Sequence, residues 1–174
     1  MTRRLGGALL WTGLWLILLA ATLTTRPLLP IDETRYLSVA WEMWLAGDIL
    51  VPQLNGQAYS HKPPLLFWLI QLGWGAFGVD HWWPRLVAPL FGLACLFTTA
   101  ALARRLWPGG SDIASLAPLI LLGSLLWTIF TTLTMFDTLV AFFTLLGLLG
   151  MVMAWRGRPA RGWALLGLAF RARP

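Results

Sequence analysis

Pro63-Pro64-Leu65-Leu66-Phe67-Trp68-Leu69-Ile70-Gln71-Leu72-Gly73-Trp74-Gly75-Ala76-Phe77-Gly78-Val79 is a run of 17 uncharged residues between Lys62 and Asp80. Whether it crosses a membrane decides the fold. Length alone permits a crossing, since a hydrocarbon core of about 30 Å takes about 20 helical residues at 1.5 Å each. The distribution of charge speaks against it. With this run lying on the membrane, Arg3, Arg4, Arg104, Arg105, Arg156, Arg158 and Arg161 share one side, against Arg26, Arg35, Lys62 and Arg85 on the other. That is the basic excess expected of a cytoplasmic face, and a crossing would destroy it. Trp68, Trp74, Trp82 and Trp83 also suit a helix resting among headgroups. The run reads as interfacial.

Outward from it, four other uncharged stretches suit full spans: residues 5–25, 86–103, 113–133 and 138–155. Composition agrees: 58% of residues are hydrophobic, 11% are charged and mean hydropathy is +0.71, outside the range of soluble domains. The high pI of about 11.1 comes from arginines that flank apolar runs, so it orients the chain and points to no nucleic acid. Arg3 and Arg4 resemble the start of a signal peptide. The first apolar run is long and lacks a convincing cleavage site, so it reads as a retained helix. The single cysteine, Cys95, sits in an apolar run as a small hydrophobe and excludes an internal disulfide.

Within the outer loop, residues 26–85, the window Ile31–Pro64 holds four of the seven carboxylates (Asp32, Glu33, Glu42, Asp48) and the one lysine, Lys62. Charge beside lipid is costly unless paired, wet or used. From Glu33 to Ala46, Tyr36, Leu37, Ala40, Trp41, Trp44 and Leu45 recur at helical spacing, with Arg35, Ser38 and Glu42 on the other face. Asp32 stands at an N-cap position and Gly47 at a stop. Val51 to Gly56, with Pro52, Asn55 and Gly56, reads as a turn. The fold predicted is all-α and polytopic: four transmembrane helices plus two amphipathic interfacial helices in the first outer loop.

The order Asp32-Glu33-Thr34-Arg35-Tyr36, then Tyr59-Ser60-His61-Lys62-Pro63-Pro64-Leu65, then a Trp68-rich helix, resembles the C-type (GT-C) membrane glycosyltransferases. The likeness lies in the branch of aminoarabinose transferases and protein mannosyltransferases and covers about residues 8–160. It implies transfer of a sugar from a polyprenyl-phosphate donor to a lipid, glycan or protein acceptor at the outer face of a bacterial inner membrane. It also implies that Asp32 and Asp137 (in Thr134-Met135-Phe136-Asp137) are the catalytic carboxylates and that Lys62 contacts phosphate. Glu33, Arg35, Tyr36, Tyr59, His61 and Arg85 complete the implied substrate-binding set. His61 departs from the pattern, because aminoarabinose-type relatives often carry Glu before that lysine. The acceptor, and any divalent cation such a Glu would hold, are therefore left open, and no metal-ligand set is assigned.

The chemistry of these residue types agrees with the likeness. A departing lipid phosphate needs a cation beside it in a poorly hydrated site, for which Lys62 and Arg85 are the nearest candidates. An acceptor hydroxyl needs a base, which a carboxylate supplies. Structural alternatives stand beside each role: Asp32 as a plain N-cap, Lys62 as a snorkelling anchor, His61 as a surface histidine. A fragment of a transporter or of a membrane assembly subunit is the alternative function, but the charges cluster in a loop rather than at mid-span. After Arg161, the nine-residue run Gly162–Phe170 is too short to span and reads as the start of a fifth helix. The chain reads as residues 1–174 of a longer transmembrane domain, inactive by itself.

Overall fold

The structure, a computed structural model, describes residues 2–110 and 112–171. The side chains of residues 2–5, among them the Arg3 and Arg4 used above for orientation, and residues 172–174, lie outside that description. Helix α1 (Thr2–Thr25) is followed by α2 (Asp32–Ala46), strands β1 (Gln53–Leu54) and β2 (Gln57–Ala58), and α3 (Leu65–Phe77). Then come α4 (Trp82–Leu106), α5 (Ile113–Gly123), α6 (Leu125–Thr131), α7 (Phe136–Trp155) and α8 (Pro159–Arg171). Three helices, α1, α4 and α7, are long and apolar enough to cross a membrane, and α5 with α6 makes a fourth candidate. This is a polytopic, predominantly helical membrane fold.

Hydrogen bonds sort the helix ends into two groups. Arg85, at the start of α4, donates to the carbonyls of Thr22, Leu23 and Arg26 at the end of α1. Arg26 in turn reaches the Thr132 carbonyl just after α6. At the opposite end, Arg156 after α7 donates to Leu106 at the end of α4. The end of α1 and the start of α4 therefore share one end of the bundle, and residues 26–85 leave and return there. Helix α3 has 13 residues, about 20 Å of rise, and does not cross.

Several expectations need correction. The third span, expected as one helix over 113–133, is broken: α5 and α6 meet at a 75° bend. Ser124 there is extended (φ −73, ψ 114), and the Thr128 hydroxyl donates to the Leu122 carbonyl at 2.6 Å, satisfying an acceptor near the break. The expected all-α class holds, with one small hairpin beside the helices. Gln53 pairs with Ala58 and Leu54 with Gln57 in a small hairpin, closed by Asn55 (φ 55) and Gly56 (φ 73). An Asn-Gly pair favours this two-residue turn because both central positions need positive φ.

In α2 the buried stripe is Glu33, Tyr36, Val39, Ala40 and Met43, the last four at i, i+3, i+4 and i+7 with Glu33 one turn before them. Trp41, Trp44 and Leu45, expected on the apolar face, remain exposed. The stripe packs on Leu66, Phe67, Ile70 and Trp74 of α3 and on Phe136 and Leu139 of α7. Gly162–Phe170 belongs to a 13-residue helix, α8, laid against α7. There the backbones touch: a Cβ at Gly162 would fall 2.3 Å from the Ala154 nitrogen, and one at Gly150 would fall 2.8 Å from the Gly162 carbonyl oxygen.

Candidate functional site

The polar groups gather where α1 ends and α2 and α7 begin. Pro27 and Pro30 in the connecting segment cannot donate, so the chain turns there without helix, and the first turn of α2 carries Asp32 and Glu33. Negative charge in a first turn is favoured by the helix dipole. The two acids then diverge. Asp32 is not the N-cap expected, since Ile31 holds that position and makes no side-chain cap bond. Its carboxylate pairs instead with Arg35 one turn on, and the pair is about half exposed.

Glu33 is buried, with 1% exposure. Its carboxylate accepts from Arg26 through Nη1 at 2.5 Å and Nη2 at 3.3 Å, from the Leu29 amide at 2.8 Å and from the Thr134 amide at 2.8 Å. Burial by itself would raise the Glu33 pKa, but the Arg26 hydrogen bonds, the two amides and the Arg26 charge outweigh it. The pKa lies below the usual carboxylate range. Arg26, weighed in the sequence only as an outer-side charge, is the residue that sequence reasoning missed. Its partners lie 7 and 106 residues away, so no local pattern marks it.

Tyr36 is buried one turn along α2, edge-on to Phe136 at 5.1 Å, and Phe67 meets the same ring at 5.4 Å. Burial first, then the Asp32 and Tyr59 charges, push the Tyr36 phenol up. Lys62 lies with its ammonium 5.7 Å from the centroid of Phe136, the residue before Asp137. Tyr59 is buried, 5.3 Å from the His61 ring and 6.3 Å from Phe67. Arg35, Asn55, Gln57, Tyr59 and His61, with Leu54 and Ala58, line an open cavity of about 450 Å³ on the hairpin side.

Asp137 is exposed on the first turn of α7 and lines a separate recess of about 340 Å³ with Leu126, Trp127, Phe130, Thr131, Thr138 and Ala141. No residue of α2 is in that wall. The site residues named from sequence are thus brought to one end of the bundle, but Asp32 is not among the residues that line the recess of Asp137. Arg85 is 7% exposed, and its two terminal nitrogens bind carbonyls at the end of α1. It holds a helix end, as cations do at a helix C-terminus. Among the described residues, no group of three or more His, Cys, Asp or Glu is placed to hold a metal ion.

A model of the family described as dolichyl-phosphate-mannose-protein mannosyltransferase matches residues 61–171. The undecaprenyl phosphate-alpha-4-amino-4-deoxy-L-arabinose arabinosyl transferase 1 of Sodalis glossinidius (strain morsitans) is 34% identical over 174 residues, covering 90% of this chain and 30% of the relative. The enzyme of the same kind from Pseudomonas aeruginosa (strain LESB58) is 34% identical over 145 residues, 79% of this chain and 26% of the relative. Among solved structures, ArnT from Cupriavidus metallidurans bound to undecaprenyl phosphate superposes with a TM-score of 0.80 at 29% identity, over 97% of this chain and 32% of that one. Its apo form gives 0.76 at 28% identity. The chain spans about a third or less of the length of these relatives.

Proposed function

Since the chain belongs to the dolichyl-phosphate-mannose-protein mannosyltransferase family, we propose that residues 1–174 form the donor-phosphate end of a transmembrane sugar transferase. The donor is a sugar on undecaprenyl phosphate, of the 4-amino-4-deoxy-L-arabinose class named for the relatives. The acceptor is a lipid, glycan or protein group at the outer face of a bacterial inner membrane. The observation that carries this reading is the seat of Lys62: its ammonium rests 5.7 Å from the ring of Phe136, beside Asp137 at the mouth of α7. A loop cation is seated there on the first turn of a helix that lies 74 residues further along the chain, and the next residue of that helix, Asp137, lines an apolar recess suited to a lipid.

In the reaction, the sugar C1–O bond to phosphate breaks and its electron pair stays on the phosphate oxygen. Lys62 offsets the charge that develops, in surroundings where water screens little. The acceptor oxygen forms the new bond to C1. Where that oxygen starts as a hydroxyl, its proton goes to a carboxylate, and Asp32 takes this role once Arg35 turns from it toward an anionic ligand. Where it is an ionised phosphate, no base is needed and Asp32 orients it. Arg35, Tyr59 and His61 line the open cavity that takes the acceptor, and Arg35, paired with Asp32, connects the two. Glu33, Tyr36 and Arg85 act behind the site, through packing and hydrogen bonds.

The test joins binding to turnover. This chain in lipid nanodiscs should bind undecaprenyl phosphate, and Lys62→Ala should weaken binding about tenfold or more. Grafted onto the remainder of the Pseudomonas aeruginosa relative, the wild-type segment should support transfer, and Asp32→Asn should lower turnover by about 10² or more with donor binding kept. Near-normal turnover of folded Asp32→Asn would remove Asp32 from the mechanism. Absence of undecaprenyl phosphate binding by the chain would overturn the donor-site assignment.

A further inference from the structure

Asp32 and Glu33 are adjacent in sequence and opposite in circumstance. Asp32 is about half exposed on a single arginine, whereas the buried Glu33 carboxylate accepts four hydrogen bonds from protein donors. Those donors come from three segments: Arg26 at the end of α1, Leu29 in the link to α2, and Thr134 in the turn into α7. Arg26 also binds the Thr132 carbonyl at 2.8 Å, so the turn is held from both its donor and its acceptor side. Two residues on from Thr134 is Phe136, the ring beneath Lys62 and against Tyr36.

We propose that Glu33 is a positioning residue, which through Arg26 and the Thr134 amide fixes the Thr132–Asp137 turn and with it the seat of Lys62, and that it touches no substrate. The Lys62 part of this rests on the donor-site reading above. The Glu33 part does not. A carboxylate suits the task because it is acceptor-only and offers two oxygens to four donors, which neither an amide nor a cation does. Leaving those donors unmet in a buried site is costly, so the turn opens when the acceptor is lost.

Hydrogen–deuterium exchange of the chain in nanodiscs, with undecaprenyl phosphate binding measured on the same samples, tests this. Glu33→Gln keeps the size and one acceptor oxygen. Exchange in peptides covering residues 27–31 and 132–136 should rise about tenfold or more together, while a peptide from the middle of α4 stays unchanged. Binding should weaken, but by less than in Lys62→Ala. Because a variant can fail to fold, the wild-type chain supplies a second measurement. Arg26 is the charged group that faces Glu33, and the lowered pKa keeps the carboxylate ionised above its ordinary value of 4.5. Protection factors of both segments should therefore hold from about pH 8 to about pH 5 and fall together only as pH drops below 4.5 through the lowered value.

Unchanged exchange in the two segments would overturn the proposal. So would weakened binding with unchanged exchange, the signature of a Glu33 that touches the ligand. If the wild-type chain binds no undecaprenyl phosphate, the donor-site reading fails and the exchange result alone decides the role of Glu33.

Discussion

Besides its packing on α4, α7 is held at two further junctions, one at each half of the helix, and they work by opposite means. At its start, the Thr132–Thr134 turn is tied to α1 and α2 by charge and directed hydrogen bonds through Arg26 and Glu33. Along its second half, α7 meets α8 where side chains are missing: Gly150 and Gly162 let the two backbones come into contact. The second kind of junction is what helices use in lipid, where apolar burial gives no preference for a neighbour over acyl chains and close contact must supply it. The first kind is the expensive one, and it sits at the end of the bundle where the candidate chemistry lies. Strongly specified polar geometry is concentrated where position matters for function, and plain contact serves elsewhere.

The sharpest way to break that contrast is to reverse the ion pair. In Arg26→Glu with Glu33→Arg the Coulomb attraction is kept with its sign exchanged. The Leu29 and Thr134 amides would then face a guanidinium, which has no acceptor, and the Thr132 carbonyl would face a carboxylate. The double variant should be no more stable than either single variant, each losing about 3–5 kcal/mol, as for a buried pair with one partner removed. A double-mutant cycle by thermal or SDS unfolding in micelles gives the coupling. Full rescue by the swap would reduce the junction to a simple ion pair.

The α7–α8 junction should respond to size alone. In Gly162→Leu the new Cβ meets backbone atoms of Gly150 and Ala154 at 2.3–2.7 Å, and backbone cannot turn aside as a side chain does. The cost should be about 1–3 kcal/mol of overpacking, with α8 displaced from α7. The polar end should not notice: exchange at residues 132–136 and undecaprenyl phosphate binding should match the wild type. Loss of binding in Gly162→Leu would show that the two junctions are coupled through α7, and the division drawn between them would fail.

What the sequence made legible follows the range of the physics. Residues 63–79 were placed on the surface by charge bias, and the connection of α1 to α4 at one bundle end agrees. The Val51–Gly56 turn was legible because Asn55 and Gly56 fix their own backbone, though the strands they close are too short to show alternation. The Asp32-Glu33 pair was visible as a functional signal, but its division of labour was not. Which acid is buried depends on Thr134, 101 residues away. The face of α2 was misjudged for a related reason. Trp41 and Trp44 look like core residues by composition, yet the tertiary partners select Val39 and Met43, and the tryptophans stay exposed beside Trp74. The break at Ser124 falls within an apolar run that hydropathy treats as uniform, although Gly123-Ser124 is a weak helical pair inside it.

The smallest expected effect lies between the two extremes, at a carboxylate on the surface. Glu42 accepts from the Asn55 amide at 2.6 Å and the Gly56 amide at 3.0 Å, so it ties the hairpin turn to α2 much as Glu33 ties the α7 turn. The difference is water. Both bonds are exposed, and a solvated amide that loses its partner finds another, so Glu42→Ala should cost only about 1 kcal/mol, within the net worth of ordinary hydrogen bonds. The hairpin carries Asn55 and Gln57 into the wall of the cavity that Arg35, Tyr59 and His61 also line. Glu42→Ala should therefore leave the melting temperature within a few degrees of wild type and leave undecaprenyl phosphate binding unchanged, while exchange rises at residues 53–58 alone. A stability loss as large as the about 3–5 kcal/mol expected of Glu33→Arg would mean that the hairpin is part of the fold's core. The separation between a rigid donor end and a loosely held hairpin wall would then have to be abandoned.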